Sequence, residues 1–585
     1  MKFQVYGVQL GQKMSWNITL NLDIDLMYWY EQGIKELVVI GSLMSIGHAM
    51  AYRDSLDKGK ESRLVERSLL FWKSRESGVK YTFARNDVFS IRVTYQGFNH
   101  ILLKYEEWKQ EIIPFVEGKQ LLLEEIITLL KKHHTSPHLT STIELSNYLQ
   151  VGYLLNEINI SSGVSAPQSN HTILTPLLVC HRCGSTEKVM IQPCASCGEH
   201  CATCESCITM GRSKTCTPLI HFSASELAIQ DHSLDLPSFT LQLSPHQEHI
   251  ANHAVWFANS KEFKELLIWA VTGAGKTEMI FPVVYNALKR GNRILLASPR
   301  KDVIKELSPR FRSAFPGVAI VSLYGGSEEK WNRGQLYLAT THQTMRFVQF
   351  FDLVIVDEMD AFPYHNDTML EFVVKRALKE EGKMIFMTAT PSNKWLDRVQ
   401  RKEIDSVILP IRYHHHPLPV PQIERIPKKE KVIFQANPDE LIRRFIDEVK
   451  VQKGQAFIFI ANVRDIPIWT KKLKQWFPDE TIAGVYASDR GRDEKVEAFR
   501  NGEIQFLVTT TIMERGVTIP NVHVLVIGAE STIFDEATLV QIAGRVGRSA
   551  NYPTGIVWFL AEYKTNAMLK AKKQIERMNR LAKGI

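Results

Sequence analysis

The apolar run Glu265-Leu-Leu-Ile-Trp-Ala270 passes straight into Val271-Thr-Gly-Ala-Gly-Lys276-Thr277, and no other stretch limits the fold of this chain so sharply. A short, unbroken apolar run suits a strand buried on both faces, as in parallel sheets. The glycines permit a tight turn whose backbone N–H groups face phosphate oxygens. A lysine placed next reaches the β/γ oxygens, and the Thr277 hydroxyl suits Mg²⁺. Residues from Glu278 onward are helix-compatible, so the order is strand, phosphate loop, helix. Thr272, Gly273, Ala274, Gly275, Lys276, Thr277 and Glu278 are therefore expected to contact ATP. An isolated match also admits, as the lesser reading, a solvated lysine after a glycine turn.

The acidic stretch Asp357-Glu358-Met-Asp360 removes that bland reading, because it follows its own strand-like run, Phe351-Asp-Leu-Val-Ile-Val. The arrangement delivers Asp357 to the carboxyl edge of a parallel sheet, beside the Mg²⁺ that Thr277 would hold, and sets Glu358 to orient the attacking water. A third stretch, Gln541-Ile-Ala-Gly-Arg545-Val-Gly-Arg548, carries two arginines three apart. Arginines on an exposed helix are ordinarily solvated. On one helix face, however, both would point into a cleft between two lobes and stabilise charge on the transferred phosphoryl group. The catalytic set is then Lys276, Asp357, Glu358, Gln541, Arg545 and Arg548.

Between these anchors lie further stretches in a fixed order: Gln247 in Leu243-Ser-Pro-His-Gln247, Ser298-Pro-Arg300-Lys-Asp302, Ala339-Thr-Thr341-His-Gln343, Thr388-Ala-Thr390-Pro391 and Thr509-Thr510-Thr-Ile-Met-Glu-Arg515-Gly516. With them the chain from about residue 235 onward resembles superfamily 2 helicases and translocases. The resemblance implies two RecA-like lobes, with Gln247 reading adenine. It also makes Thr388 and Thr390 couple nucleotide state to the nucleic-acid track, and Arg300, Thr341 and Thr510 contact DNA backbone. Met359 in the acidic motif and Gln541 in place of a histidine depart from the strict DEAD-box RNA helicase pattern.

Asp357-Glu-Met-Asp-Ala-Phe-Pro363, Arg412-Tyr-His414 with its proline run, Cys204-Glu-Ser-Cys207 with Met210-Gly-Arg212, and a basic tail look like the ComFA family of competence helicases. That resemblance implies an ATP-driven translocase at the inner face of the membrane that draws single-stranded DNA into the cytoplasm during transformation. It also implies partners at the DNA-uptake channel, a ComFC-like protein among them. PriA-type replication-restart helicases also carry cysteine knuckles, but there the cysteines interrupt the second lobe. Here they precede both. A nucleotide-gated interaction protein, in which ATP switches the affinity of the cysteine module for a partner, is the competing class.

All eight cysteines fall between Cys180 and Cys216. Cys180-His-Arg-Cys183-Gly and Cys194-Ala-Ser-Cys197-Gly have two-residue gaps followed by glycine, and Cys201, Cys204, Cys207 and Cys216 follow closely. Tetrahedral zinc held by thiolates is the physical reading. Disulfides conflict with the reducing compartment in which a phosphate-loop ATPase works. Eight ligands serve two zinc ions, or one with four spare thiols, and the pairing stays open. The repeated spacing of Cys201, Cys204 and Cys207 also fits an iron–sulfur cluster.

A length of 585 residues with 44% hydrophobic and 23% charged content implies several ordinary globular domains, and a net charge of +8 is compatible with a phosphate-backbone partner. The expected architecture is α/β. Two RecA-like parallel-sheet lobes, 235–410 and 433–585, are preceded by an accessory domain (1–170) and a cysteine-rich zinc module (175–220). Residues 411–432, rich in proline and charge and containing His414-His-His416, read as a stiff linker with loop histidines. Ser161 to Asn170 reads as a second linker, Gln120 to Lys132 as an amphipathic run, and the basic tail from Tyr563 to Lys583 as a helix. The most apolar stretch, Leu37 to Ile46, falls short of the roughly 20 residues a bilayer requires. The expected location is cytoplasmic, with membrane association only through partners.

Overall fold

The computed structural model describes residues 1–11, 13–57, 72–73, 80–81, 88–92, 97–133, 142–165, 178–198, 200–224, 242–425, 440–511 and 519–584. Contacts divide it into two compact units. One comprises Met1–His232, Val321–Asp352 and Asn366–Glu380; the other comprises Ser233–Ile320, Leu353–His365 and Glu381–Ile585.

In the first unit, an antiparallel sheet runs in the order Lys13–Thr19, Phe3–Leu10, Glu36–Met44, Val88–Arg92. Its buried Phe3, Val5, Ile18 and Ile40 share a core with helices Phe98–Val116, Leu123–His133 and Thr142–Leu154. Asp25 is sealed into this unit, accepting hydrogen bonds from Tyr6 Oη at 2.5 Å, Thr19 Oγ1 at 2.5 Å and Gln150 Nε2 at 3.0 Å. Burial outweighs these donors and raises its pKa to about 7.

A three-stranded antiparallel sheet follows, with Pro218–Phe222 between Gln120–Leu122 and Ile158–Ser162. The amphipathic run is thus a short strand leading into the Leu123–His133 helix. The expected linker begins inside a strand instead: Ser161 pairs with Leu219 and Ser162 with Pro218, while residues 166–170 lie outside the described set. The Ser/Gln/Asn content suggested a linker, but the short alternation Ile158, Ile160, Ser162 buries one face of a strand. The last strand of this sheet comes after the final cysteine, so the cysteine segment is spanned at both ends by one sheet.

In the second unit, two parallel-sheet RecA-like lobes are present. Five strands of the first lobe run in the order Ile294–Ser298, Phe351–Val356, Leu378–Thr388, Glu265–Ala270, Asp405–Leu409. The Glu265–Ala270 strand pairs in parallel with the strands on either side of it, which explains its unbroken apolar sequence. The second lobe is a parallel sheet ordered Gln422–Arg425, Val557–Ala561, Val522–Ile527, Gln455–Ile460, Phe506–Thr509, Ile482–Val485. Amphipathic helix Glu440–Val451 buries Ile442, Phe445, Ile446 and Val449 against it. Gln422–Arg425, inside the proline-rich connector, is the edge strand of this sheet, and 426–439 lie outside the described residues.

The basic tail forms helix Asn566–Lys583, capped by the Thr565 side chain on the Met568 N–H. Met568, Ala571, Ile575 and Met578 are buried at helical spacing, and Lys570, Lys573, Arg580 and Lys583 are exposed. Gln574 Nε2 donates to the Ala389 carbonyl at 2.8 Å, and the Arg577 guanidinium lies over the Trp269 ring. One face of the helix therefore belongs to the chain's own core and the opposite face to solvent.

Candidate nucleotide site and cysteine centres

Strand Glu265–Ala270 ends at the phosphate loop, and helix Lys276–Lys289 starts from Gly275, which sits in the left-handed region at φ 76°. That φ favours glycine, and a Cβ on Gly275 would also lie 2.5 Å from Gln247 Nε2 and displace the glutamine amide. Gln247 caps its own helix, exchanging hydrogen bonds with Ser244 in a capping box, and its Nε2 donates to the Ala274 carbonyl at 2.8 Å. In this structure the glutamine expected to read adenine braces the loop. Lys276 Nζ reaches the Ala270 carbonyl at 3.3 Å, and Glu278 pairs with Arg310.

Asp357 follows strand Phe351–Val356, buried, with its N–H on the Ala297 carbonyl at 2.8 Å and its Oδ1 accepting the Glu358 N–H at 2.9 Å. Glu358 itself adopts φ 53°, a backbone conformation uncommon outside glycine. Asp360 is the hub of the cleft. Its Oδ1 accepts from Thr388 Oγ1 at 2.8 Å, and its Oδ2 accepts from Thr390 Oγ1 at 2.6 Å and Gln541 Nε2 at 3.3 Å. The acidic motif, the Thr-Ala-Thr motif and the first residue of the arginine motif thus converge on one buried carboxylate.

The two arginines do not share a helix face. Helix Glu536–Ala543 ends at Gly544, Arg545 lies on the turn beyond it and Arg548 just after that turn, with Gly547 at φ 69°. Two glycines in four residues stop the helix that the three-residue spacing suggested. Gly544 has a second reason to be glycine: a Cβ there would fall 2.6 Å from Thr272 Cβ, so the turn rests directly on the phosphate loop. Across this contact Arg412 donates from Nε to the Thr272 carbonyl and from Nη1 and Nη2 to the carbonyls of Gly547 and Gly544. Burial, with Arg548 adding repulsion, lowers the Arg412 pKa to about 9.

Arg300 stands at the N-terminus of helix Lys301–Ala314, and Thr510 is buried just past strand Phe506–Thr509; Arg515 and Gly516 lie outside the described residues. Thr341 belongs to the first unit, where its carbonyl accepts from Thr344 Oγ1 at 2.6 Å. His414 Nε2 contacts the Gly547 carbonyl at 3.0 Å, and the three histidines sit in irregular chain as expected.

The eight cysteines separate into two groups of four, Cys180, Cys183, Cys204 and Cys207, and Cys194, Cys197, Cys201 and Cys216, with each group's sulfurs within 4.8 Å of one another. A zinc tetrahedron with Zn–S bonds near 2.3 Å has sulfur–sulfur edges of about 3.8 Å. Cys180 and Cys207 are 3.8 Å apart, Cys183 and Cys204 3.6 Å, and Cys194 and Cys216 3.8 Å, close to that edge, whereas Cys197 and Cys201 at 3.1 Å are drawn closer than a bound zinc would hold them. The close triplet Cys201, Cys204 and Cys207 is divided between the groups, because strand His200–Cys204 carries Cys201 and Cys204 to different ends of its hairpin with Val189–Pro193. Hydrogen bonding from Cys201 is the largest influence lowering the Cys216 thiol to about 5.

Family models match three segments: the competence protein ComFA N-terminal domain over 106–221, the type III restriction enzyme res subunit over 240–393, and the helicase conserved C-terminal domain over 438–550. Competence protein ComFA of Bacillus subtilis (strain 168) is 38% identical over 433 residues, covering 73% of this chain and 91% of that protein. This chain belongs to the ComFA family. The Streptococcus pneumoniae ComFA protein is 36% identical over 406 residues, 69% of this chain and 91% of its own. Among solved structures, RecG bound to a three-way DNA junction aligns with a TM-score of 0.43 at 16% identity, covering 59% of this chain and 47% of that one.

As a ComFA-family member the chain is a competence-related, ATP-dependent helicase-type enzyme of superfamily 2. Two residues of its cleft carry no role in the sequence reading. Asp360 stands in plain view in the acidic motif, four residues from the strand end, yet its partners are 28 to 181 positions away. Arg412 lies between the two matched helicase segments, and in sequence it stands out only in the Arg412-Tyr-His414 stretch that carries the family resemblance, with nothing there to place it at the nucleotide site. No described helix is long and apolar enough to cross a membrane.

Proposed function

We propose that this ComFA-family protein is an ATP-driven translocase on single-stranded DNA that draws transforming DNA into the cytoplasm. The observation that carries the reading is the Asp360 junction, where residues from three motifs and both lobes share one carboxylate. A change at the nucleotide is then felt by Thr388, Thr390 and Gln541 together, as a chemical step that moves lobes requires.

In this reading the loop Thr272 to Thr277 cradles the triphosphate, Lys276 meets the β/γ oxygens, Gln247 positions the loop from below and Glu278 steadies the first helical turn. Thr277 and Asp357 would hold Mg²⁺, which neutralises phosphate charge when bound. Glu358 orients water, and Arg545 and Arg548 offset charge on the transferred phosphoryl group. Arg300, Thr341 and Thr510 contact the DNA backbone, which positions the strand without reading its sequence and suits indiscriminate import. The two cysteine groups hold zinc, and the accessory and zinc segments receive competence proteins at the uptake channel, a ComFC-like partner among them, at the inner face of the membrane.

The test is steady-state ATPase of the metal-replete protein with and without unstructured single-stranded DNA. Stimulation by DNA is expected, with turnover reduced by about 10³ or more in Lys276→Ala and Glu358→Gln. Turnover indifferent to DNA would favour a partner-gated switch, and preference for branched forks over plain single strands would favour replication restart. Normal turnover in both variants would refute the site.

A further inference from the structure

The nucleotide site contains a buried arginine that none of its motifs supplies. Arg412 follows the first lobe's last strand, Asp405–Leu409, and is 1% exposed. Its three hydrogen bonds all go to backbone carbonyls, from Nε to Thr272 at 3.2 Å, Nη1 to Gly547 at 2.5 Å and Nη2 to Gly544 at 3.2 Å. The charged side chain that acts on it is Arg548, a like charge. Among the described residues no carboxylate is hydrogen-bonded to it. Burying a cation without a counter-ion is costly, so packing alone is a poor reason for an arginine here.

What the three carbonyls have in common is their place. Thr272 is in the phosphate loop, and Gly544 and Gly547 enclose the turn that carries Arg545 and precedes Arg548. The Gly544 carbonyl also accepts from Arg548 Nε at 3.0 Å, so Arg412 and Arg548 are joined through one oxygen. The Gly547 carbonyl is shared with His414 Nε2. A guanidinium presents its donors in a fixed planar fork, which sets the relative positions of all three acceptors; a lysine ammonium offers no such frame.

We infer that Arg412 is a positioning residue of the ATPase site: its guanidinium clasps the arginine turn 544–548 to the phosphate loop and so places Arg545 and Arg548 for phosphoryl transfer. The inference rests on the ATPase reading above and deepens it. Because the clasp is mounted on the connector between the lobes, any movement of that connector reaches the catalytic arginines directly.

The experiment uses the full chain with Arg412→Lys and Arg412→Ala, measuring fluorescent N-methylanthraniloyl-ATP affinity and the kcat and KM of DNA-stimulated turnover. Nucleotide affinity and KM are expected to stay within about threefold of the parent, while kcat falls by about 100-fold in both variants, the effect of moving reacting groups by about 1 Å. Retained nucleotide affinity also shows that the variant is folded. Two results would overturn the inference: kcat within threefold of the parent in Arg412→Lys, or an affinity loss in step with kcat, which marks general packing. If Arg412→Ala does not fold, Arg412→Lys decides. Lys276→Ala and Glu358→Gln run alongside: inactive controls with a fully active Arg412→Lys defeat the clasp alone, whereas active controls defeat the nucleotide site itself.

Discussion

An alanine at position 544 would place one methyl group between the arginine turn and the phosphate loop. Gly544 has φ −66° and ψ −6°, which alanine adopts without strain, so the effect is purely steric. Its Cβ would lie 2.6 Å from Thr272 Cβ and 2.7 Å from Thr272 Cγ2. Rotating Thr272 about χ1 does not help, because the Cβ atom itself is in the way. Ordinary carbon–carbon contact needs about 3.5–4.0 Å, so the turn must withdraw by roughly 1 Å. A displacement of that size at a catalytic centre costs about 100-fold in rate, or close to 2.7 kcal/mol of barrier. The phosphate loop and its lysine stay as they are. Gly544→Ala is therefore expected to bind fluorescent ATP within about threefold of the parent while its DNA-stimulated kcat falls about 100-fold, and Thr272→Gly in the same chain should recover part of the loss. Unchanged kcat, or an equal loss of nucleotide affinity, would refute the idea that this contact holds the arginines in place.

Metal analysis of the purified protein should find two zinc ions per chain, and Cys180→Ser and Cys194→Ser should each retain one, since the two groups share no ligand; one zinc in the parent, or the visible absorbance of an iron–sulfur cluster, would contradict that division. Asp25 should make the stability of the first unit depend on pH. With a folded pKa of about 7, above the ordinary 3.8, its contribution is fully present below about pH 4 and is lost as pH rises through 7, a change on the order of 4 kcal/mol. Asp25→Asn removes the charge, so unfolding measured at pH 5 and pH 8 should show the variant gaining relative to the parent at the higher pH; the same difference at both would refute the raised pKa.

The strand, loop and helix of the proposed nucleotide site were legible because that pattern is local. A phosphate loop needs glycines, a lysine and a hydroxyl within six residues, and the strand before it betrays itself by an unbroken apolar run, so Thr272 to Thr277 fall where spacing placed them. The parallel lobes followed for the same reason, each strand carrying its burial in its own composition, as Gln455–Ile460 and Phe506–Thr509 do. Where the sequence misled, a local pattern met a local exception: two glycines ended the helix before Arg545, and a Ser-rich segment that resembled a linker entered a sheet through Ser161 and Ser162.

Sequence by itself determined which residues have the chemistry: the phosphate loop, the acidic pair, the two arginines and eight thiols in one short segment. Tertiary structure decided which of them act together. Cysteine spacing is blind to pairing, because a two-residue gap fixes only that two sulfurs share a turn; the hairpin then placed Cys204 and Cys201 in different groups of four. Likewise nothing near Asp360 or Arg412 in the chain names their partners. Those contacts span 28 to 181 positions for Asp360 and 132 to 140 for Arg412, and exist only because two separate sheets bring their loop edges to one cleft.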